Sequence, residues 1–389
     1  MHTDPVLFSF FLIFTSAAIL ATAALYTRQP LIVAYIAIGV LLGPSGTQLI
    51  SEPGLIASVA KIGIIFLLFL LGLDMQPSKL RNMLGNALMV GLGSSLVFFG
   101  IGVAIALPFG FSVTECVIIG IAMMFSSTII GIKLLPTTVL HHRHTGELVV
   151  SLLLIQDLIA IIVLLVITGG FLDFDGLSKV AKVLVALPLL IAGAWAFVSF
   201  VLLKLLEKFD AFHEYIFLVA IGWCLGFSEL AYAAGLSHEI GAFIAGVSLA
   251  TSPIALYIAG HLKPLRDFFL VLFFFSVGAS FELGVLPEVI VPSLVMAAAM
   301  LAAKPLVFRG MLPMIGEKPG RSWETGFRLG QISEFSLLIA FLATSEALIG
   351  DRASILIQAT AILTFLISSY IVVFRYPTPI AVSDELRRD

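Results

Sequence analysis

A carboxyl group and an amide lie side by side in the middle of a long apolar run. Gln156 and Asp157 have apolar neighbours on both sides, and no other charged residue lies between Glu147 and Asp173. Because charge in hydrocarbon is costly, an isolated carboxylate there favours its neutral form, and it can alternately hold a proton or a cation. The alternative is a structural carboxylate that pairs with a cation on another helix. We expect Asp157 to bind ions and protons, with Gln156 as its neighbour.

A lysine interrupts a second apolar run. Lys304 follows Met296–Ala303 and precedes Pro305, which disrupts a helix and frees a carbonyl group nearby. A buried ammonium needs a partner, and Asp157 is one of few candidates. Two interpretations of Lys304 stay open: a structural, charge-compensating group, or a group that itself gives up a proton.

Two polar segments interrupt apolar runs elsewhere. Consecutive hydroxyl side chains compete for backbone hydrogen bonds and favour an unwound break, although they can also bond to their own helix. The second segment contains a glycine and a carboxylate. The alternative for this carboxylate is a position near the cytoplasmic entrance of the pathway, where it binds no ion permanently. The polar side chains concerned are Ser126, Ser127 and Thr128 in the first segment and Ser333 and Glu334 in the second. Interrupted helices in corresponding positions of two halves indicate a transporter binding site, in which Ser333 and Glu334 could line a pathway.

Other polar groups are weaker candidates. Glu239 lies close to the end of an apolar run and could line the same pathway, but an exposed acid at a helix start is the simpler interpretation. His141, His142 and His144 cluster beside Arg143 and could sense pH near neutrality. A solvated loop is the simpler interpretation here too, since the cluster lacks the cysteines or paired carboxylates of a metal site. We expect no resident metal and no cofactor.

Long apolar helices must position these residues. The chain has 389 residues, of which 60% are hydrophobic and 12% charged, whereas soluble domains carry about 25% charged residues. The apolar residues form runs of about 20, the length that spans a bilayer. These features exclude a soluble enzyme, a disordered chain and a disulfide-stapled domain, and no basic block suggests nucleic acid. The chain is predicted to be an all-α, polytopic membrane protein.

The apolar runs predict 13 membrane spans. They lie near 5–26, 31–43, 55–74, 83–108, 113–136, 146–168, 179–206, 212–234, 237–250, 267–282, 285–311, 323–347 and 352–375. The connections on the side of the 26–30 turn hold fifteen lysines and arginines, against four on the other side. By the positive-inside rule, the N-terminus is expected outside and the C-terminus in the cytoplasm.

One leading helix followed by two halves of opposite orientation would explain the odd number of spans. Each half has a glycine-rich early segment, Gly39–Pro44 in the first and Gly241–Gly246 in the second. The alternative is that these small residues only allow close packing of helices in lipid.

Seven segments, in this order, resemble the Kef-like branch of the monovalent cation:proton antiporters. They are 34–46, 63–73, 125–128, 156–157, 235–246, 273–278 and 330–335, and they extend over nearly the whole chain. The resemblance implies an inverted-repeat antiporter fold of about 13 helices, in which two broken helices cross near an acidic site. It also implies a homodimer whose six-helix core slides against a dimerisation domain. Asp157 would then be the ion- and proton-binding carboxylate, residues 126–128 the first break, and Lys304 the facing basic residue.

The resemblance also predicts the domain organisation. A transmembrane antiporter domain would cover residues 1–376, and residues 377–389 would form a short cytoplasmic tail. Core helices are expected at 83–168 and 285–375, dimerisation helices at 5–74 and 212–282, and a linker helix at 179–206. Kef proteins carry a nucleotide-binding domain after the membrane part, whereas the tail here has no Gly-x-Gly-x-x-Gly. Such regulation is therefore expected from a separate subunit or a removed segment.

The leading functional hypothesis is exchange of K⁺ for protons across the inner (cell) membrane by elevator-type alternating access. Asp157 would be neutral when protonated and nearly neutral with a cation bound, so that only the bare carboxylate resists crossing. The Gln-Asp pair favours K⁺, since related Na⁺ antiporters often carry Asp-Asp, but Na⁺/H⁺ exchange stays an alternative. A gated K⁺ channel is less favoured because the chain lacks a TVGYG filter or an acidic ring. A hydrolase with Ser45 as nucleophile would need a base, and no mid-membrane histidine provides one.

Overall fold

The computed structural model describes residues 5–50, 53–74, 86–133, 144–168, 177–209, 212–250, 252 and 254–378. Within these ranges the regular structure is helical, and no β-strand is present. The α-helices are α1 Pro5–Tyr26, α2 Leu31–Leu42, α3 Pro53–Asp74, α4 Asn86–Ala106, α5 Val113–Met123, α6 Thr128–Lys133, α7 His144–Thr168, α8 Leu177–Phe197, α9 Leu203–Lys208, α10 His213–Ala233, α11 His238–Leu249, α12 Ile254–Ala279, α13 Leu286–Met311, α14 Pro319–Arg328, α15 Glu334–Ser345 and α16 Asp351–Arg375. Short 3₁₀ turns follow α4 and α13, at Leu107–Phe109 and Leu312–Ile315, and a π-helical turn, Val198–Leu202, joins α8 to α9.

The helices follow the apolar runs, and local sequence explains several of their ends. At the start of α5 the Ser112 hydroxyl accepts a hydrogen bond from the Glu115 amide, and the Glu115 carboxylate accepts one from the Ser112 amide at 2.9 Å. This reciprocal arrangement is the capping box that Ser-x-x-Glu encodes. The tenth predicted span is the main difference, because α12 begins at Ile254 rather than near 267. The charges that end the apolar run there lie within the helix, as does Pro264.

Six described helical stretches are long and apolar enough to cross a membrane. They are Val6–Tyr26, Ala87–Phe109, Ala186–Lys208, Glu214–Ala233, Leu286–Ile315 and Asp351–Arg375. Shorter apolar helices of 10–17 residues also occur among the described residues. The all-helical membrane fold is thus confirmed, and the total of 13 spans stays a prediction.

The helices form two compact units. Unit 1 contains α1, α2, α4–α6, most of α7, the last residues of α12 and α13–α16. Unit 2 contains α3, α8–α11 and the larger part of α12. The predicted dimerisation role of residues 5–74 concerns a second copy of the chain and stays a prediction; within one chain, α1 and α2 belong to unit 1 and α3 to unit 2.

In unit 2, helices α3 and α11 pack so closely that glycine is required at their crossing. A Cβ atom added at Gly72 would lie 2.6 Å from the Phe243 carbonyl oxygen, and one added at Gly246 would lie 2.9 Å from the Gly72 Cα. Small residues allow helix backbones to approach in this way where lipid gives no hydrophobic driving force. The glycine pattern of residues 241–246 therefore has a packing role in this unit.

In unit 1, helix α13 packs against α4, α14 and α16. Helices α13 and α14 approach closely at one point, where a Cβ atom added at Gly326 would lie 2.6 Å from the Pro305 Cα. Gly326 is two residues before the end of α14, and Pro305 directly follows Lys304. The close approach therefore fixes the end of α14 next to the buried lysine.

Candidate ion-binding site

The first polar segment is a break between two helices. Helix α5 ends at Met123 and α6 begins at Thr128. Phe125, Ser126 and Ser127 between them are fully buried. The Ser126 amide donates a hydrogen bond to Gln156 Oε1 at 2.9 Å. Because the break leaves this amide without a helical acceptor, the side chain of Gln156 on α7 provides one. The interruption predicted at residues 126–128 is present at residues 124–127, since Thr128 already begins α6.

The second polar segment is also a break. Helix α14 ends at Arg328 and α15 begins at Glu334, with Ser333 as its N-cap. The Ser333 hydroxyl accepts a hydrogen bond from the Phe335 amide at 3.1 Å. Helix α16 stabilises this break through two hydroxyl groups. The Ile332 amide donates to Thr364 Oγ1 at 3.1 Å, and Ser368 Oγ donates to Gln331 Oε1 at 3.0 Å.

Hydrogen bonds connect the two breaks directly. Ser126 Oγ donates to the Leu329 carbonyl at 2.9 Å, and Gln331 Nε2 donates to the Ser127 carbonyl at 3.3 Å. In the first turn of α15, Ser336 Oγ donates to the Ala122 carbonyl. The breaks are therefore the crossing point of the two interrupted helices, as the family resemblance implies.

Asp157 lies beside this crossing on α7. Its side chain is 1% exposed, and the Thr128 hydroxyl lies 3.0 and 3.1 Å from its two carboxylate oxygens. A single hydroxyl hydrogen can serve only one of these oxygens at a time. No described lysine or arginine side chain forms an ion pair with Asp157. The carboxylate therefore keeps acceptor capacity for a proton or a cation, and Thr128 is placed to share in binding either.

A second carboxylate lies near Asp157. Glu334, in the first turn of α15, is 6% exposed, and its charge acts electrostatically on Asp157. Two neighbouring carboxylates cannot both stay ionised at low cost, so a proton or a cation at this place relieves their repulsion. The structure thus brings Glu334 to the Asp157 site. Glu239 is instead a partly buried first-turn residue of α11, in unit 2.

Lys304 is buried as predicted, but it has different partners from those the sequence indicates. Its ammonium donates to the Phe125 carbonyl at 2.5 Å, the Gln331 carbonyl at 2.9 Å and Ser126 Oγ at 3.2 Å. Among the described residues the structure shows no ion pair between Lys304 and Asp157, which was one candidate partner, and the charge-compensating role of Lys304 stays a prediction. The physical reason for the observed partners is that the breaks leave carbonyl groups without helical donors, and the ammonium satisfies one from each break.

Comparison with known proteins shows the family to which the chain belongs. Residues 11–374 match the family described as "Sodium/hydrogen exchanger, transmembrane". The chain belongs to this family. Its members and the relatives below are exchangers and antiporters, which are transporters rather than enzymes.

Two relatives of this sodium/hydrogen exchanger family member are plant proteins. K(+) efflux antiporter 5 of Arabidopsis thaliana is 28% identical over 347 residues, and K(+) efflux antiporter 4 of the same plant is 30% identical over 350 residues. Each alignment covers 86% of this chain, but only 60% and 58% of the respective relatives. The chain thus spans about three fifths of the length of these relatives.

A solved structure confirms the antiporter fold. The sodium proton antiporter MjNhaP1 from Methanocaldococcus jannaschii superimposes with a TM-score of 0.68 and 18% sequence identity. The superposition covers 95% of this chain and 99% of that one. At this identity, the likeness supports the fold of this family member and nothing about an ion.

Sequence reasoning missed several residues that build the crossing of the two broken helices. Gln331 was part of a recognised motif, but its two cross-links, to Ser127 and Ser368, were not foreseen. Thr364 and Phe98 were also missed; the Phe98 ring centroid lies 5.3 Å from the Lys304 ammonium. The signal that could have found Thr364 and Ser368 is the row of polar residues on the last apolar run.

Some predicted features fall elsewhere. His141, His142 and Arg143 lie outside the described residues, as does the side chain of His144. Ser45 is in an exposed turn after α2, which gives no support to a buried nucleophile.

Proposed function

We propose that this exchanger-family protein is a secondary active monovalent cation/proton antiporter, with Asp157 as the carboxylate for which both ions compete. The observation that carries the proposal is the environment of Asp157. Its side chain is 1% exposed, accepts a hydrogen bond from Thr128 and has no described basic partner. A carboxylate neutralised permanently by lysine or arginine could not trade one ion for the other, whereas this one can.

The coupling follows from the charge on this group. With a proton bound the site is neutral, and with a monovalent cation bound it is nearly so. The empty site carries the bare Asp157 charge beside the buried Glu334, and moving such a charge across an apolar barrier is costly. Only the loaded forms then cross readily, which makes the exchange obligatory. Elevator-type movement of a core against a dimerisation domain, in a homodimer, is part of the proposal and rests on the family resemblance.

We favour K⁺ over Na⁺ as the exchanged cation. The residue next to Asp157 is the amide Gln156, whereas related Na⁺ antiporters often carry Asp there, so that this pair contributes one carboxylate to the site in addition to Glu334. The two Arabidopsis relatives are K(+) efflux antiporters by name. Na⁺/H⁺ exchange is the second candidate, since the matched family is described as a sodium/hydrogen exchanger family. The proposed location is the inner (cell) membrane, with the N-terminus outside and the C-terminus in the cytoplasm.

The test uses the purified chain in liposomes that contain a pH-sensitive dye. A pH gradient is imposed, and K⁺, Rb⁺, Na⁺ and Li⁺ are then added in turn. We expect K⁺ and Rb⁺ to release protons at lower concentrations than Na⁺ and Li⁺. A response to Na⁺ and Li⁺ alone would select the second candidate. Cation flow that continues without proton movement would mean a channel, and no proton movement with any cation would contradict antiport.

A further inference from the structure

A buried arginine ends the first half of the second broken helix. Arg328 is 1% exposed, and its Nε and Nη2 groups donate to Glu324 Oε1 at 3.0 and 2.9 Å. Nη2 also donates to the Pro377 carbonyl at 2.9 Å. A guanidinium out of water needs such partners, and removing them from one side is strongly destabilising. Arg328 therefore holds two parts of the chain, α14 and the segment after α16, in fixed positions.

Aromatic contacts fasten the same segment to α14. The Arg328 Cζ lies 5.7 Å from the Tyr376 ring centroid, and the Tyr376 ring lies 6.0 Å from that of Phe327. The Arg375 Cζ in turn lies 5.7 Å from the Phe327 centroid. Cations over aromatic rings attract them electrostatically. Residues 375–377 are thus clasped to the end of α14 by two arginines and two rings.

The clasp is joined to the ion site by consecutive bonds. Arg328 is the last residue of α14, and the carbonyl of the next residue, Leu329, accepts the hydrogen bond of Ser126 Oγ at 2.9 Å. The Ser126 amide donates to Gln156 Oε1 at 2.9 Å. Gln156 directly precedes Asp157. A displacement of the end of α14 would therefore move Leu329, then Ser126 and Gln156, without any contact between Arg328 and the ion.

We propose that Arg328 is a positioning residue through which residues 375–377 set the cation affinity of the Asp157 site. Movement of residues 375–377 from any cause weakens the contacts of Arg328 with Tyr376 and Pro377, and this shifts the break at residues 329–333. The proposal rests on the proposed function, because its main readout is cation-dependent proton movement. A purely structural anchor would change stability alone.

The experiment compares variants in the liposome assay. Arg328→Met should raise the K⁺ concentration for half-maximal proton movement about threefold to tenfold, the range that corresponds to the loss of one or two net hydrogen bonds. Arg328→Lys should give an intermediate value, because it keeps the charge but not the planar fork. Tyr376→Leu should shift the value in the same direction by a smaller factor, since Arg328 keeps Glu324.

Arg321→Met is the matched control. It removes another i,i+4 pair at the start of the same helix, with Glu317 at 3.6 Å, and should leave the half-maximal K⁺ concentration unchanged. Thermal unfolding is measured on every sample. Lower stability of the Arg328 and Tyr376 variants together with wild-type K⁺ dependence and a wild-type pH profile would overturn the proposal.

A second measurement does not depend on transport. Hydrogen–deuterium exchange of peptides covering residues 125–128 and 329–333 should be faster in Arg328→Met than in wild type, and unchanged in Arg321→Met. Unchanged exchange at 125–128 in Arg328→Met would overturn the coupling even if the protein exchanges ions. Faster exchange in a protein that moves no protons would instead uphold the coupling and contradict only the antiport function.

Discussion

At the scale of single residues, the two buried ionisable groups of the crossing differ in what holds them. Asp157 accepts one hydroxyl hydrogen bond and keeps free acceptor capacity. The Lys304 ammonium, which has three donor hydrogens, donates to three groups of the two breaks. A group whose donors are all used by two carbonyl groups and a hydroxyl is suited to hold structure, and a group with spare capacity is suited to exchange ions. This contrast supports the proposal that Lys304 stabilises the crossing while Asp157 exchanges the ions.

Lys304→Met should lower the thermal stability of the protein. The carbonyl groups of Phe125 and Gln331 would lose their donor, and a buried polar group left unsatisfied costs about 1–3 kcal/mol. Thermal unfolding in detergent measures the effect, with Lys61→Met as control, because Lys61 is exposed on α3. Proton movement should persist in the folded fraction. Wild-type stability combined with abolished transport would instead indicate that Lys304 gives up its proton during the cycle.

Gln156→Glu should change selectivity and pH dependence while exchange continues. The new side chain has the same shape and can still accept from the Ser126 amide, but it adds a carboxylate directly beside Asp157, where Glu334 already lies near. Two adjacent carboxylates titrate as a coupled pair, so the pH profile of proton movement and the K⁺/Na⁺ preference should both shift. Gln48→Glu, at an exposed position, is the control. If both properties stay as in wild type, Gln156 does not face the ion.

At the scale of helices, the sequence predicts the breaks better than their connections. A run of three hydroxyl residues and a Gly-Gln-x-Ser-Glu segment disturb helical periodicity, and breaks are found at both places. The partners of Lys304 are backbone carbonyls, which have no signature in a sequence. Arg328 could not be recognised either, because one of its partners lies 49 residues further along the chain. The predicted start of α12 is also too late, because charged residues interrupt the apolar run there without interrupting the helix.

Gly326→Ala should destabilise the packing of α14 against α13. In an open helix the substitution would be favourable by about 1 kcal/mol, but here the added methyl group would lie 2.6 Å from the Pro305 Cα. We expect a lower unfolding temperature and a higher half-maximal K⁺ concentration, because the end of α14 must shift. Gly310→Ala on α13 is the control, since nothing lies within 4 Å of its added Cβ. A Gly326→Ala protein as stable as Gly310→Ala would contradict this description of the contact.

At the scale of the whole molecule, the groups that could bind the ion all belong to one unit. Asp157, Thr128, Gln156 and Glu334 lie in unit 1, as do Lys304 and both breaks. The charge-poor composition and the apolar runs predict this membrane fold, since long uncharged runs can be stable only as helices in lipid. They do not predict how a second copy packs, because lipid-facing and subunit-facing surfaces are both apolar.

Asp157 is the shared carboxylate on which the proposed exchange depends most, and Asp157→Asn tests this role directly. The amide keeps the shape and can still accept from Thr128, but it cannot trade a proton for a cation. The variant and wild type are placed in dye-loaded liposomes at equal amounts of folded protein, with Asp351→Asn, an exposed acid at the start of α16, as control. We predict that K⁺ releases protons from wild-type and Asp351→Asn liposomes and releases none above background from Asp157→Asn liposomes. K⁺-dependent proton release from the Asp157→Asn protein at a rate near that of wild type would contradict the account.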